Sequence, residues 1–239
     1  MRLAPSTLHA LRAAIIDLDG TLVDTVGDFD VALRAMTADL GLPAVPRAFI
    51  GKTVGKGSEH LITRTLAEVG APASLYDEAW ARYQHHYRLI NGRHSEVFPG
   101  VREGLAGLAG RGWRLVCLTN KPGAFARPLL EAKGLAPYFA HVFGGDAFAR
   151  KKPDPLPLLE ACRTLGLAPG CVLMVGDSSN DAAAARAAGC PVVLMSHGYN
   201  HGEPVSAVDA DAVFDRLDEL LPLLASAAPG GAATAGPAR

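Results

Sequence analysis

Short, uninterrupted apolar runs recur along this chain with helical patterns between them, and that alternation leaves few folds open. The runs are Ala13 to Ile16, Trp113 to Leu118, His141 to Phe143, Cys171 to Val175, Pro191 to Met195 and Ala212 to Phe214. A strand that is apolar on both faces must be covered on both, which is the situation of a parallel sheet sandwiched by helices. The helices between the runs mark their own ends. Phe125 to Lys133 stops at Gly134, Leu156 to Leu165 at Gly166, and Asp181 to Ala188 at Gly189, with glycine where a helix terminus needs a left-handed residue. The expected fold class is α/β, a doubly wound parallel sheet.

One segment breaks the alternation. From about Asp24 to Ser95 the pattern is helical throughout: Phe29, Leu33, Met36 and Leu40 precede Gly41, then Leu61, Ile62, Leu66 and Val69 precede Gly70, and Trp80, Tyr83 and Tyr87 mark a third helix. That is too much helix for a simple crossover between strands. A small all-helical cap, residues 24–96, inserted after the first strand of an α/β core made of 1–23 and 97–224, accounts for it. A chain of 239 residues has room for one core and a lid, not for two large independent domains. Residues 225–239, rich in Ala, Gly and Pro and without a repeated apolar stripe, are expected to be disordered.

Charge and cysteine content exclude several classes of partner. Lys and Arg total 23 against 24 Asp and Glu, a formal charge of −1, so no basic face advertises nucleic acid or an anionic membrane. Cys117, Cys162, Cys171 and Cys190 lie in apolar stretches without CxxC spacing, which fits reduced, buried thiols better than structural zinc. The apolar stretch near the N-terminus is short and runs straight into Asp17 and Asp19, unlike a cleavable signal, and no apolar run is long enough to span a bilayer. A cytoplasmic protein acting on a small molecule is the expectation.

The chemistry is concentrated where apolar runs end. Asp17-Leu18-Asp19-Gly20-Thr21-Leu22-Val23-Asp24 follows the first run, and in an open parallel sheet ligands bind outside the carboxyl ends of the strands. Taken alone, Asp17 and Asp19 are equally well explained as turn-formers. Thr119-Asn120 follows the second run, Lys151-Lys152-Pro153 the third, and Gly176-Asp177-Ser178-Ser179-Asn180-Asp181 the fourth. Each of these has an ordinary explanation as a helix cap or solvated loop. Together they place hydroxyl and amide donors, an ammonium and further carboxylates at one edge of a sheet, the inventory that phosphoryl transfer requires.

In this chain order the clusters resemble the four motifs of the haloacid dehalogenase-like superfamily, over nearly the whole chain to about Leu224. The resemblance implies a Rossmann-like core in which Asp17 is the nucleophile, Asp19 the general acid and base, and Thr119, Asn120 and Lys152 the phosphate binders. It implies Mg²⁺ held by Asp17, the backbone carbonyl of Asp19, and the acidic pair Asp177 and Asp181, with Asp177 favoured as the direct ligand. Lys152 is chosen over Lys151 because the superfamily lysine precedes Pro-x-Pro, here Pro153-Asp154-Pro155. Further strings, among them Phe98-Pro99-Gly100-Val101, Thr119-Asn120-Lys121-Pro122, Gly144-Gly145-Asp146 and Gly198-Tyr199-Asn200, look like bacterial phosphoglycolate phosphatases. That family removes phosphate from 2-phosphoglycolate through an aspartyl-phosphate. The stretch Arg47 to Gly57, read as a glycine-rich basic loop, then supplies candidate specificity cations in Arg47, Lys52 and Lys56. A phosphosugar mutase or pyrophosphatase of the same fold is the enzymatic alternative; a receiver-like domain or a non-catalytic phospho-ligand scaffold is the non-enzymatic one. Receivers are about half this length and lack the insertion. Oligomeric state is not legible.

Overall fold

A computed structural model of the protein describes residues 3–226, so the disorder expected of 225–239 lies outside the described residues from position 227 onward. Ala225 and Ser226 close the last helix. In chain order the elements are α1 (Pro5–Ala10), β1 (Ala13–Ile16), β2 (Val23–Asp24), α2 (Val26–Asp39), α3 (Arg47–Thr53), α4 (Ser58–Glu68), α5 (Tyr76–Ile90), β3 (Glu96–Val97), α6 (Val101–Gly110), β4 (Arg114–Leu118), α7 (Gly123–Ala132), β5 (Phe139–Phe143), α8 (Leu156–Leu165), β6 (Val172–Gly176), α9 (Ser179–Ala188), β7 (Val192–Met195), β8 (Ala212–Phe214) and α10 (Leu220–Ser226).

Six strands form one parallel sheet in the order β5-β4-β1-β6-β7-β8. Successive strand residues point to opposite faces, and the packing follows that period. Ala14, Ile16, Leu115, Cys117, Leu173 and Val175 meet Val101, Leu105, Leu108, Leu129 and Leu220 on one face. Ala13, Ile15, Val116, Leu118, Val172 and Met174 meet Leu158, Ala161, Leu165 and Ala182 on the other. Both faces are buried, as the continuous apolar runs predict. The chain leaves β1 toward β4 and leaves β6 toward β7, so the crevice at the carboxyl ends of β1 and β6 is the topological switch point where such sheets bind ligands.

Helices α2 to α5 pack around an apolar cluster of their own, with Phe29, Leu33, Met36, Ile50, Leu61, Ile62, Tyr83 and Tyr87 at its centre and Phe125 of α7 completing it. The short antiparallel pair β2 and β3 fastens the two ends of this segment side by side, Val23 opposite Val97 and Asp24 opposite Glu96. Asp28, fully buried in α2, accepts from the N–H groups of Gly92 and His94, both at 2.7 Å, and ties the segment's exit to its entry.

Several elements differ from the sequence expectation. Residues 47–53, read as a loop, form α3: Ile50 and Thr53 are its buried residues, too few for a recognisable stripe. Strand β5 starts at Phe139, before the expected His141, because it is the sheet edge and half-exposed residues carry its first turns of pleat. The glycine-rich helix α6 gives little propensity signal, yet its glycines have a packing role: a Cβ on Gly104 would lie 2.6 Å from Leu217 Cγ, so glycine is what lets α6 approach the chain there. Among the described residues no helix is long and apolar enough to cross a membrane.

Ile15, fully buried on the central strand, tests this packing. Ile15→Ala is expected to lower the unfolding free energy by about 2–5 kcal/mol, read as a lower urea midpoint with an unchanged slope. A shift below about 1 kcal/mol would contradict a close-packed sheet centre.

Candidate active site

Asp17 is the first residue beyond β1, and its N–H donates to Val175 O of β6 at 2.9 Å, which pins it between the two central strands. The loop then closes on itself, with the N–H groups of Thr21, Leu22 and Val23 all directed at Leu18 O. Gly20 sits in the turn at φ +84°, and a Cβ there would come within 2.5 Å of Asp177 Oδ2. Glycine therefore serves twice, for the left-handed backbone and for the approach of the acidic residue that follows β6.

Three carboxylates, those of Asp17, Asp177 and Asp181, offer oxygens that all lie within 4.8 Å of one another, and all three residues are buried. One ammonium stands among them. Lys152 Nζ donates to Asp181 Oδ1 at 2.7 Å and to Leu118 O at 2.9 Å, and forms an ion pair with Asp17 Oδ1 at 2.9 Å. Lys152 is thus the cation that faces the buried Oδ1 of Asp17. Burial pushes the Asp17 carboxyl up to about 7, with Lys152 pulling down and Asp181 pushing further up. Burial, then Asp181 and Asp17, hold the Asp177 carboxyl well above the usual carboxylate range. Burial alone would lower the Lys152 ammonium, but Asp17 and Asp181 raise it. One positive charge does not balance three negative ones in a dry site, and the deficit shows as raised carboxyl pKa values. An all-oxygen donor set of three buried carboxylates is what a hard divalent cation fits.

The other acidic groups are anchored in different ways. Asp181 Oδ2 accepts from the N–H groups of Asp177 and Ser178 and from Ser178 Oγ, closing a capping box at the start of α9. Helix cap and member of the acidic cluster are thus both true of it. Asp177 Oδ1 accepts from Thr21 Oγ1 at 3.2 Å and Oδ2 from Tyr199 N–H at 2.8 Å. The Asp19 carboxylate faces away from the cluster and accepts from Thr25 Oγ1 at 2.8 Å and from Lys121 Nζ at 2.9 and 3.2 Å.

Asp17 and Asp19 form one wall of a tight cavity, closed on the opposite side by Phe29, Val54, Gly55, Gly57, Ser58, Leu61, Tyr83 and Tyr87 of the helical insertion. Thr119, Asn120 and Lys121 form its side. The insertion is clamped down by core groups. Asn120 Nδ2 donates to Gly55 O at 2.9 Å, Asn180 Nδ2 reaches the same carbonyl at 3.3 Å, and Lys151 Nζ pairs with Glu59 Oε2 at 2.7 Å.

Two groups of the expected site residues have surroundings that the reading of the sequence did not anticipate. Asn120, expected as a phosphate binder, has its amide committed elsewhere: Nδ2 also donates to Lys152 O at 2.9 Å, and Oδ1 accepts Lys152 N–H at 3.0 Å, so the side chain braces Lys152 and the insertion. Arg47, Lys52 and Lys56 are exposed, and none lines the cavity. Helix α3 turns Ile50 and Thr53 inward, which leaves Arg47 and Lys52 on the outside. Of that stretch, Val54, Gly55 and Gly57 line the site.

Sequence reasoning passed over Lys121 and Tyr199. Lys121 looked like part of a helix-capping turn, yet its side chain is 2% exposed and it also donates to Tyr87 Oη at 2.6 Å. Tyr199 links the acidic cluster to the insertion, since its Oη accepts from Thr25 N–H at 2.7 Å and donates to Asp24 Oδ1 at 2.8 Å. Its place in the Gly198-Tyr199-Asn200 string was the available signal.

A parallel sheet with an aspartate past its central strand, a buried lysine and an acidic pair past β6 defines a class of hydrolase, and the chain belongs to it: the haloacid dehalogenase-like hydrolase family matches residues 11–189. Within that class it is similar to bacterial phosphoglycolate phosphatases. The phosphoglycolate phosphatase of Thiobacillus denitrificans is 43% identical over 212 residues, covering 87% of this chain and 93% of the relative. The plasmid-borne phosphoglycolate phosphatase of Cupriavidus necator is 45% identical over 216 residues, covering 90% and 94%. A crystal structure from Haemophilus somnus 129pt, described as a predicted phosphoglycolate phosphatase, superposes with a TM-score of 0.87 at 30% identity, covering 90% of this chain and 98% of that one.

The raised Asp17 carboxyl sets a pH dependence. Without a cation, the fold loses stability as pH rises from near the unfolded value of 3.8 toward about 7, because the folded state retains a proton that the unfolded chain releases. A hard divalent cation, tested as Mg²⁺, is expected to raise the melting temperature more at about pH 8 than at about pH 5. An equal shift at both would detach the cation from these carboxylates.

Proposed function

We propose that this chain is a Mg²⁺-dependent phosphatase of small phosphate monoesters, with 2-phosphoglycolate as its substrate, hydrolysed to glycolate and phosphate through an aspartyl-phosphate on Asp17. The observation that carries the reading is the division of labour at the end of β1. Asp17 holds a buried carboxylate oxygen 2.9 Å from Lys152 Nζ, and Asp19, two residues on, lines the cavity. A nucleophile and a proton carrier are thereby set on two sides of the same reacting position.

In this reading Asp17 Oδ1 attacks phosphorus and the ester bond breaks on the far side. Asp19 gives a proton to the departing oxygen, then removes one from the water that cleaves the acyl-phosphate, so one carboxyl serves both half-reactions. Lys152 and Thr119 neutralise and orient the phosphoryl oxygens, Lys152 from its bracket between Asp17 and Asp181. Asp17, Asp177, the backbone carbonyl of Asp19 and, through its contacts, Asp181 would hold Mg²⁺. When bound, Mg²⁺ supplies the positive charge that lets a carboxylate approach a phosphate dianion, an opposition of about 4 kcal/mol per unit pair at ~4 Å and an effective dielectric near 20.

Residues 24–96 act as a cap over a core of 1–23 and 97–224, keeping bulk water from the reacting atoms while shut. The narrow, partly aromatic cavity supports a compact substrate. The names of the bacterial relatives support 2-phosphoglycolate in particular. We place the reaction in the cytoplasm, where thiols packed into the core as Cys117, Cys162 and Cys190 are stay reduced.

Asp17→Asn keeps the volume but not the nucleophile. It is expected to lower kcat by about 10⁴-fold or more while leaving the circular dichroism spectrum unchanged, and turnover within tenfold of wild type would remove the covalent route. Ranked by kcat/KM with Mg²⁺ present, 2-phosphoglycolate is expected to exceed hexose phosphates and pyrophosphate, and EDTA to abolish turnover. A sugar phosphate or pyrophosphate at the head of that ranking would replace the substrate assignment.

A further inference from the structure

The ester oxygen that Asp19 must protonate fixes where the remainder of the substrate lies. In a phosphoglycolate-like ester only one carbon separates that oxygen from the carboxyl carbon. Whatever receives the carboxylate must therefore stand within a few ångströms of the Asp19 carboxylate, on the cavity side. The exposed cations of the insertion do not line the cavity. Lys121 does, with its ammonium 2.9 Å from Asp19 Oδ1 and its side chain buried.

The surroundings of Lys121 suit an anion-binding seat. Its ammonium lies over the rings of Phe29 and Tyr87, 4.5 and 4.8 Å from their centroids, and donates to Tyr87 Oη, so it is held on an aromatic floor rather than solvated. Tyr83 stacks on Tyr87 at 5.3 Å and also lines the cavity. The Tyr83 hydroxyl is fully buried, with the Ser58 side chain as its polar neighbour. A buried hydroxyl on the cavity wall is free to turn its O–H toward an acceptor that enters beside it. Helix α4 begins at Ser58 on the same wall, directing the partial positive charge of its first turn into the cavity. Phe29, Val54 and Leu61 add apolar surface for the linking carbon.

We infer that Lys121 and Tyr83 form the seat for a carboxylate on the leaving group, making Lys121 the residue that selects carboxylate-bearing phosphate monoesters over neutral ones. The inference rests on the phosphatase reading above and deepens its substrate choice. On binding, Lys121 shares its hydrogen bonds between Asp19 and the substrate carboxylate, and Tyr83 O–H supplies a second donor to that carboxylate.

The test compares paired esters that differ in the carboxylate: 2-phosphoglycolate against 2-hydroxyethyl phosphate, and 3-phosphoglycerate against glycerol 3-phosphate. For Lys121→Met the ratio of kcat/KM, acid to neutral, is expected to fall by about 10- to 100-fold, mainly through KM of the acid member, as a lost hydrogen bond to a charged group implies. Tyr83→Phe, which leaves the Lys121–Asp19 pair in place, should move the ratio the same way by a smaller factor. Equal losses for both members of each pair, carried in kcat, would overturn the proposal and leave Lys121 as a positioning residue for Asp19. Wild-type preference for the neutral member of both pairs would overturn it as well. Wild-type preference for 3-phosphoglycerate, with the same dependence on Lys121, would instead displace 2-phosphoglycolate as the substrate and keep the carboxylate seat.

Discussion

The buried ammonium of Lys152 is what allows the carboxyl ends of β1 and β6 and the first turn of α9 to meet. Three carboxylates within 4.8 Å of one another would repel too strongly to share a dry pocket, and Lys152 touches two of them directly. Its position is fixed from both ends, by Leu118 O at the ammonium and by the Asn120 amide at the backbone. Even so, the charge is not balanced. Burial first, and then the neighbouring carboxylates, leave Asp17 and Asp177 with raised pKa values, and the three carboxylates could hold a further cation.

The same crowding explains the small residues around the site. A side chain at Gly20 would strike Asp177, and one at Gly198 would lie 2.0 Å from Asp177 Cβ, so the loops after β1 and β7 can enclose that aspartate only as glycine. Charge and packing therefore select residues at the same positions. The insertion joins this arrangement through Asn120, Asn180, Lys151 and Tyr199, each of which also touches the motif loops or lies within them. The insertion is consequently tied to groups that also hold the acidic cluster.

Much of this was legible in one dimension because it depends on local periodicity. Buried parallel strands must be apolar throughout, and helices α8 and α9 end at glycine, so both the sheet and the placing of Asp17, Thr119, Lys152, Asp177 and Asp181 at its rim could be anticipated. Helix α3 escaped because one short helix with two inward residues has no measurable period, and β5 was shortened because an edge strand is only half apolar.

Lys121, Asn120 and the three exposed cations of the insertion mark the boundary. Their residue types are plain in the sequence, but which way each side chain points depends on partners far along the chain. Lys121 meets Asp19, Phe29 and Tyr87, Asn120 meets Gly55 and Lys152, and Arg47 and Lys52 turn outward because Ile50 turns in. By itself the sequence determined the α/β class, the helical insertion and the inventory of phosphoryl-transfer groups, since these follow from the order and spacing of neighbours. Only the tertiary structure decided which cation faces the cavity and which amide is already committed, because side-chain direction is set by packing against residues that order and spacing do not bring together.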